Sequence, residues 1–153
     1  KYISESMATD TETTFRSLIR VYGLIHRFMQ PYFARFALSS SQWGVLRTLS
    51  RVEESGEGPI RLSDLSERLL VQPPSITGVV TRLEKAGLVK RVPCTYDLRS
   101  KRVSLTPQGR ALIETVLEKH SGQIAAAMKC LNKEEQRTLG ALLQKMAAHL
   151  EES

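Results

Sequence analysis

Residues 63–105, SDLSERLLVQPPSITGVVTRLEKAGLVKRVPCTYDLRSKRVSL, decide the fold of this chain. Near the start of this stretch, Leu65, Leu69 and Leu70 recur at helical spacing and predict a short helix with one buried leucine face. Ser63 stands where an N-cap residue would begin that helix.

A second helix is expected after a turn of about three to four residues. Pro73 suits the first position of a helix and Gly87 suits the position just past its end, so this helix should run from Pro73 to about Ala86. Its apolar face is formed by Ile76, Val79, Val80 and Leu83. Its other face carries Ser75, Thr77, Gly78, Thr81, Arg82 and Lys85, which are small or basic.

Two strand-like runs joined by a charged turn come next, at residues 88–92 and 102–105. Helix, turn, helix and β-hairpin in this order predict a winged helix-turn-helix, with the hairpin as the wing. Upstream, Ser39 and Gln42 form the pattern of a capping box, which predicts another helix before this lobe. Asn132 and Glu135 form a second capping box, which predicts the start of the last helix. The predicted fold class is therefore mainly α with a small β-hairpin.

Long helices are predicted on both sides of the winged lobe. In the first of them apolar residues recur at steps of three and four, and Pro31 is expected to kink it. These helices carry more apolar surface than so small a lobe needs, so they are expected to form the body of a homodimer, the alternative being a monomer with a larger core. The predicted regions are an N-terminal dimerisation helix at 1–36, the winged lobe at 37–106 and C-terminal dimerisation helices at 107–153.

Positive charge is concentrated in the same stretch that decides the fold. Residues 82–102 hold seven basic and two acidic side chains, a net charge of +5, whereas the whole chain of 153 residues carries +6. A charge this concentrated predicts a polyanionic partner, and double-stranded DNA fits a winged lobe.

The second helix is predicted to be the recognition helix, because bulky side chains would hold it out of the major groove whereas small polar ones would not. Gln72 stands where the turn before the recognition helix often has a stronger cap, and because Gln is a poor N-cap, its side chain either faces DNA or is a weak cap. On the wing, Arg99 is expected to enter a groove, and Asp97 either orients it or binds turn amides. The predicted DNA-binding residues are Gln72, Pro74, Ser75, Thr77, Gly78, Thr81, Arg82, Lys85, Arg99 and Lys101.

The set of motifs resembles that of MarR-family transcriptional regulators over roughly residues 10–150. The residues that carry the resemblance are Gln42-Trp43, Leu62-Ser63, Pro74-Ser75, Leu83-Glu84, Gly87-Leu88-Val89, Arg91, Asp97, Arg99-Ser100, Leu105-Thr106, Gly109, Leu131-Asn132 and Glu134-Glu135. The resemblance implies a homodimer that binds a palindromic operator. The predicted function is that of a DNA-binding transcriptional repressor.

Members of this family often bind small aromatic or phenolic effectors between the dimer body and the winged lobe. The matching positions here would be His26, Met29, Gln30, Trp43 and Leu46. A cavity lined by aromatic residues with a few polar groups is the usual form of such a site. The alternatives are core packing for Trp43 and, for His26, a surface position or a hydrogen-bonded position in an interface.

Composition and motif content exclude several other classes. No apolar run approaches the ~20 residues that cross a membrane, and no signal peptide is visible, which favours the cytoplasm. Two separated cysteines and three scattered histidines predict neither a disulfide framework nor a metal site, and no cofactor is expected. Cys94 lies among basic residues of the wing, so a redox role for it is a minor alternative.

No paired-carboxylate motif, nucleophile elbow or phosphate loop is present, so no catalytic residues and no enzymatic activity are predicted. The alternative function is a winged-helix protein–protein module without specific DNA binding, since a winged fold alone does not guarantee nucleic-acid binding.

Overall fold

A computed structural model of the chain describes residues 2–70, 72–93 and 101–153, with side chains described from residue 9 onward. The described elements are α1 (Tyr2–Ala34), α2 (Ser40–Glu54), β1 (Ile60–Arg61), α3 (Leu62–Arg68), α4 (Ile76–Lys85), β2 (Val89–Pro93), β3 (Lys101–Leu105), α5 (Pro107–Met128) and α6 (Lys133–Glu151). This order is that of a mainly helical protein with a winged helix-turn-helix, and the predicted fold class is confirmed.

The chain divides into two compact units, the first ending at Glu118 and the second beginning at Lys119. The first unit holds a small antiparallel sheet in the order β1-β3-β2. In the hairpin Val89 pairs with Leu105 and Arg91 with Val103, whereas β1 adds to the other side of β3 through Ile60, which also pairs with Val103.

One hydrophobic core holds the winged lobe together. α2 contributes its buried face to this core, and the sheet contributes Val89, Val103 and Leu105. α4 buries Val80 and Leu83 completely, as its apolar stripe predicts. Burial of an aliphatic side chain is worth roughly 1.5–3 kcal/mol, so the core fixes α4 with its opposite face outward.

Several local signals in the sequence are confirmed. Ser39 caps α2, its Oγ accepting from the amide of Gln42 at 3.1 Å while the Gln42 side chain accepts from the Ser39 amide at 2.7 Å. Asn132 and Glu135 form the same reciprocal box at the start of α6. α1 continues through Pro31 to Ala34, so the proline does not end the helix, and the kink expected there stays a prediction.

The first helix of the motif is shorter than the leucine pattern predicts. α3 follows β1 directly, so its N-cap is Arg61, the last residue of the strand, and Ser63 lies inside the first turn. Leu69 ends the helix with an extended backbone (φ −69°, ψ 132°) and is still buried. The prediction for Leu70 was wrong, because the chain leaves the helix before it and its side chain is 91% exposed.

The second helix begins later than predicted. Pro73 is followed by Pro74, and a residue before proline is pushed out of the helical region, so Pro73 does not open the helix. α4 instead begins at Ile76 with Ser75 as its N-cap. The connection between α3 and α4 therefore spans residues 69–75 rather than the three to four residues expected.

Candidate nucleic-acid interface

The start of α4 is organised by Ser75. Its backbone is extended (φ −148°, ψ 104°) and its Oγ accepts a hydrogen bond from the amide of Gly78 at 3.1 Å. A Cβ at position 78 would lie 3.2 Å from that oxygen, so the small residue suits the cap. Ser75, predicted to contact DNA, thus has a structural role in starting the helix.

The outward face of α4 matches the face predicted from sequence. Thr77, Arg82 and Lys85 are exposed, whereas Gly78 and Thr81 are half-buried. The small residues Thr77, Gly78 and Thr81 leave the helix free to approach a nucleic-acid groove, and Arg82 and Lys85 add positive charge to its last turn.

Thr81 is held by a residue of the wing. Arg91, on β2, donates from Nη2 to Thr81 Oγ1 at 3.2 Å and from Nη1 to Glu84 Oε1 at 3.2 Å. The Arg91 side chain is 22% exposed in its ion pair with Glu84. A guanidinium between two side chains of α4 ties the recognition helix to the first strand of the hairpin.

The role of Arg91 was missed because it was counted with the basic residues available to DNA. Strand alternation carried the signal, since Arg91 lies on the same face of β2 as buried Val89 and pairs with buried Val103. Lys90 lies on the other face, opposite Ser104, and is exposed.

Gln72 folds back onto α3. Its side-chain oxygen accepts from Ser66 Oγ at 2.9 Å, and its Nε2 donates to the carbonyl of Ser66. The side-chain amide of Gln72 therefore links the turn to α3, and the residue is exposed. Pro74 is also exposed, beside the start of α4.

The basic residues of the hairpin fall into two groups. Lys90 and Lys101 are exposed, whereas Arg102 is half-buried and donates from Nη1 to the carbonyl of Pro59 at 3.2 Å. The predicted wing-tip residues Asp97 and Arg99, together with Cys94, lie outside the described residues.

Two further ion pairs link elements of the first unit. Arg68 lies 2.8 Å from Glu57, and its hydrogen bond holds the pKa of that carboxyl below its usual range. Arg110, at the start of α5, makes two hydrogen bonds of 2.8 and 2.9 Å to Glu53 of α2, and these raise the pKa of its guanidinium.

The predicted effector residues lie at different depths. Trp43 and Leu46 belong to the core, and the Trp43 ring stacks on Phe33 with centroids 5.7 Å apart. Met29 packs against this core, whereas His26 and Gln30 are exposed.

A cavity of about 330 Å³ lies elsewhere in the first unit. It is lined by Leu49, Val52, Glu53, Glu57, Gly58, Pro59, Lys90, Val92, Val103, Ser104, Leu105 and Arg110. None of the five predicted effector residues lines it.

Within residues 2–70, 72–93 and 101–153, no three histidine, cysteine, aspartate or glutamate side chains are grouped as a metal site would require. Cys130 is an exposed free thiol. Over the same described ranges, every helix is too short or too polar to cross a membrane.

Comparisons with known proteins agree with this geometry. Residues 38–101 match the family model described as "MarR family". The chain is 33% identical over 134 residues to the HTH-type transcriptional regulator PecS of Dickeya dadantii (strain 3937), covering 88% of this chain and 80% of that protein. The chain belongs to the MarR family.

Other relatives and solved structures place this MarR-family protein among regulators. It is 35% identical over 103 residues to the homoprotocatechuate degradative operon repressor of Escherichia coli, which covers 65% of this chain and 66% of that one. A putative MarR-like regulator from Bacillus cereus ATCC 10987 has a TM-score of 0.82 at 25% identity, over 93% of this chain and 99% of that one. Its relatives are named as transcriptional regulators, so this MarR-family protein is a regulator and not an enzyme.

Two further similar solved structures are of proteins described by their DNA binding. A mutant of MarR from E. coli, complexed with operator DNA, has a TM-score of 0.78 at 25% identity, covering 90% of this chain and 95% of that one. BpsR of Bordetella bronchiseptica, whose DNA binding is described as regulated by 6-hydroxynicotinic acid, has a TM-score of 0.73 at 26% identity, covering 86% and 91%.

Proposed function

We propose that this protein is a sequence-specific DNA-binding regulator that binds a palindromic operator as a homodimer and represses transcription. The observation that carries the proposal is the outward face of α4. There Thr77, Arg82 and Lys85 are exposed, while the apolar face of the same helix is fixed in the core. The operator complex of a protein with this fold supports it.

The hairpin extends this face with further positive charge. Lys90 and Lys101 are exposed on the two strands and would neutralise phosphates, and Arg99 at the wing tip is proposed to enter a groove. Base recognition would come from α4, because phosphate contacts position a protein on DNA without reading its sequence.

Exposed apolar side chains on α1 and α6 support the homodimer. On α1 they include Phe15, Ile19 and Tyr22. On α6 the side chains of Leu142 and Leu150 are 56% and 63% exposed, and the helix has no buried residue. Apolar patches on a soluble protein mark interfaces, and two-fold symmetry would place two recognition helices about 34 Å apart on DNA.

The proposed effector is a small aromatic or phenolic acid that binds near His26, Met29, Gln30, Trp43 and Leu46. The regulation of BpsR by 6-hydroxynicotinic acid and the name of the E. coli operon repressor support the chemical class. Ligand binding at these residues, between α1 and α2, would shift the lobe relative to its dimer partner and weaken operator binding.

Selection of bound sequences from random duplex DNA tests the function directly. Enrichment of a palindrome, together with a steep loss of affinity between 50 and 200 mM salt, is expected. An unselective pool with a shallow salt dependence would instead favour a protein–protein module. Sedimentation of the free protein measures the homodimer separately.

The effector proposal has its own readout. Trp43 is 7% exposed and stacked on Phe33, so a ligand that enters beside it should change its fluorescence. A panel of phenolic acids that changes neither this fluorescence nor operator affinity would overturn the proposed site.

A further inference from the structure

We propose that Arg91 is a positioning residue that sets the orientation of the recognition helix relative to the wing, and that it does not contact DNA itself. The inference rests on the proposed function as a DNA-binding regulator. It assigns to Arg91 a role different from that of the exposed Lys90 and Lys101 of the same hairpin.

The geometry of the guanidinium supports this role. Its Nη1 and Nη2 each lie 3.2 Å from an acceptor, Glu84 Oε1 and Thr81 Oγ1 respectively. Both acceptors are on α4, three residues apart and therefore on one face of the helix. One planar fork from β2 thus holds α4 at two points, which constrains rotation of the helix about its axis as well as its distance from the strand.

Burial and strand alternation support the same conclusion. Arg91 shares the inner face of the hairpin with Val89, and its cross-strand partner Val103 is buried. The adjacent Lys90 lies on the outer face and is exposed. Because an arginine whose donors are engaged by a carboxylate and a hydroxyl has already lost part of its hydration, breaking this network to reach a phosphate would carry a cost.

The network lies where the two parts of the DNA-binding face meet. α4 ends at Lys85 and β2 begins at Val89, so the chain turns sharply between them, with Gly87 at φ +76°. The core fixes the inner side of α4 through apolar contacts. The two bonds from Arg91 add a polar constraint at the end of the helix nearer the wing.

Alanine replacement of Glu84 gives opposite results under the two roles that Arg91 could have. If Arg91 contacts phosphate, Glu84→Ala removes a negative charge near the polyanion and frees the arginine, so operator affinity should rise. If Arg91 positions α4, the same change releases the helix and operator affinity should fall, by on the order of tenfold for a coupled hydrogen-bond network. Glu67→Ala on α3, an exposed glutamate in the same lobe, controls for loss of charge alone and should raise affinity slightly.

Arginine substitutions supply the second measurement. Arg91→Lys keeps the charge but cannot reproduce the fork, so we expect it to lose nearly as much operator affinity as Arg91→Ala, with the salt slope of binding unchanged. Lys90→Ala is the matched comparison, because loss of a phosphate contact should flatten that slope by about 0.9 per contact. Urea unfolding of each variant shows whether the lobe remains folded.

The outcomes separate the two proposals. Loss of affinity in both Glu84→Ala and Arg91→Lys, with non-additive effects in Glu84→Ala/Arg91→Ala and parental salt slopes, supports the positioning role. Tighter binding by Glu84→Ala, or a flattened slope with Arg91→Ala, overturns it while leaving the regulator function intact. Failure of the parent protein to bind duplex DNA with a steep salt dependence would overturn the proposed function instead.

Discussion

Removal of the Ser75 hydroxyl should destabilise the recognition helix before it affects any DNA contact. Ser75 is the N-cap of α4, and its Oγ accepts the Gly78 amide at 3.1 Å. The first turn of a helix has amides without intrahelical partners, so Ser75→Ala leaves one of them without its protein acceptor. The residue is exposed, and the loss is therefore that of the cap alone.

The expected cost follows from that single hydrogen bond. Alanine in place of a serine N-cap lowers the free energy of unfolding by about 1 kcal/mol, within a range of roughly 0.5–2 kcal/mol. For a chain of this length, 1 kcal/mol corresponds to a fall of about 2–4 °C in the melting temperature. α4 stays in place, because Val80 and Leu83 remain buried beneath it.

Two further substitutions at Ser75 separate capping from DNA binding. Ser75→Asn keeps the cap without adding charge, so its free energy of unfolding and its affinity for duplex DNA should match those of the parent. Ser75→Asp also caps and favours the positive end of the helix dipole, so stability should be retained, but its charge would repel phosphates and weaken binding to duplex DNA.

Urea unfolding and DNA titration at one fixed protein concentration measure the two effects, since the stability of a dimer depends on concentration. If Ser75→Ala unfolds like the parent, within about 0.3 kcal/mol, and yet loses DNA binding, the capping explanation is refuted. If Ser75→Asp binds DNA as the parent does, the start of α4 does not face DNA.

Three further substitutions test other parts of the structure. Gly109→Ala should destabilise the protein by about 3 kcal/mol or more in urea unfolding, because the new Cβ would lie 2.1 Å from the backbone oxygen of Leu88. Glu57→Gln should lower the free energy of unfolding at neutral pH, because Arg68 depresses the pKa of Glu57 in the folded protein and the ionised carboxylate then stabilises the fold. The difference from the parent should vanish as the pH falls through this folded pKa, since the carboxyl is then protonated. Arg99→Ala should weaken operator binding by ~1–3 kcal/mol in a titration at constant salt, and parental affinity would contradict the wing assignment.

Local patterns predicted the helices and strands well because their signals lie within a few residues of one another. The capping boxes at Ser39 and Asn132 and the apolar stripe of α4 are such signals, and each was confirmed. The errors arose where adjacent residues favour different backbone conformations. Pro73 satisfies the preference for proline at the first position of a helix, but Pro74 after it imposes an extended backbone, and the better cap at Ser75 decides where α4 begins.

The site was less predictable, because the function of a polar side chain depends on its tertiary neighbours. Charge and spacing grouped Lys90 and Arg91 together, but one faces outward and the other is bonded to α4. The alternation of β2 with buried Val89 could have separated them. Nothing local could have predicted that Arg91 would reach both Thr81 and Glu84, since that depends on how the hairpin packs against the helix.

These internal bonds narrow the set of side chains that could read base sequence. Ser75 and Thr81 each accept a hydrogen bond within the lobe, and the Gln72 amide is bonded to Ser66. In the described part of the chain, α4 has two exposed polar residues before its last residue, Lys85, and these are Thr77 and Arg82. Neither forms a side-chain hydrogen bond with another described residue. Because so few side chains are available for direct contact, a small rotation of α4 would move most of them out of register with the bases. Sequence discrimination in this protein should therefore depend strongly on the residues that hold α4 in place.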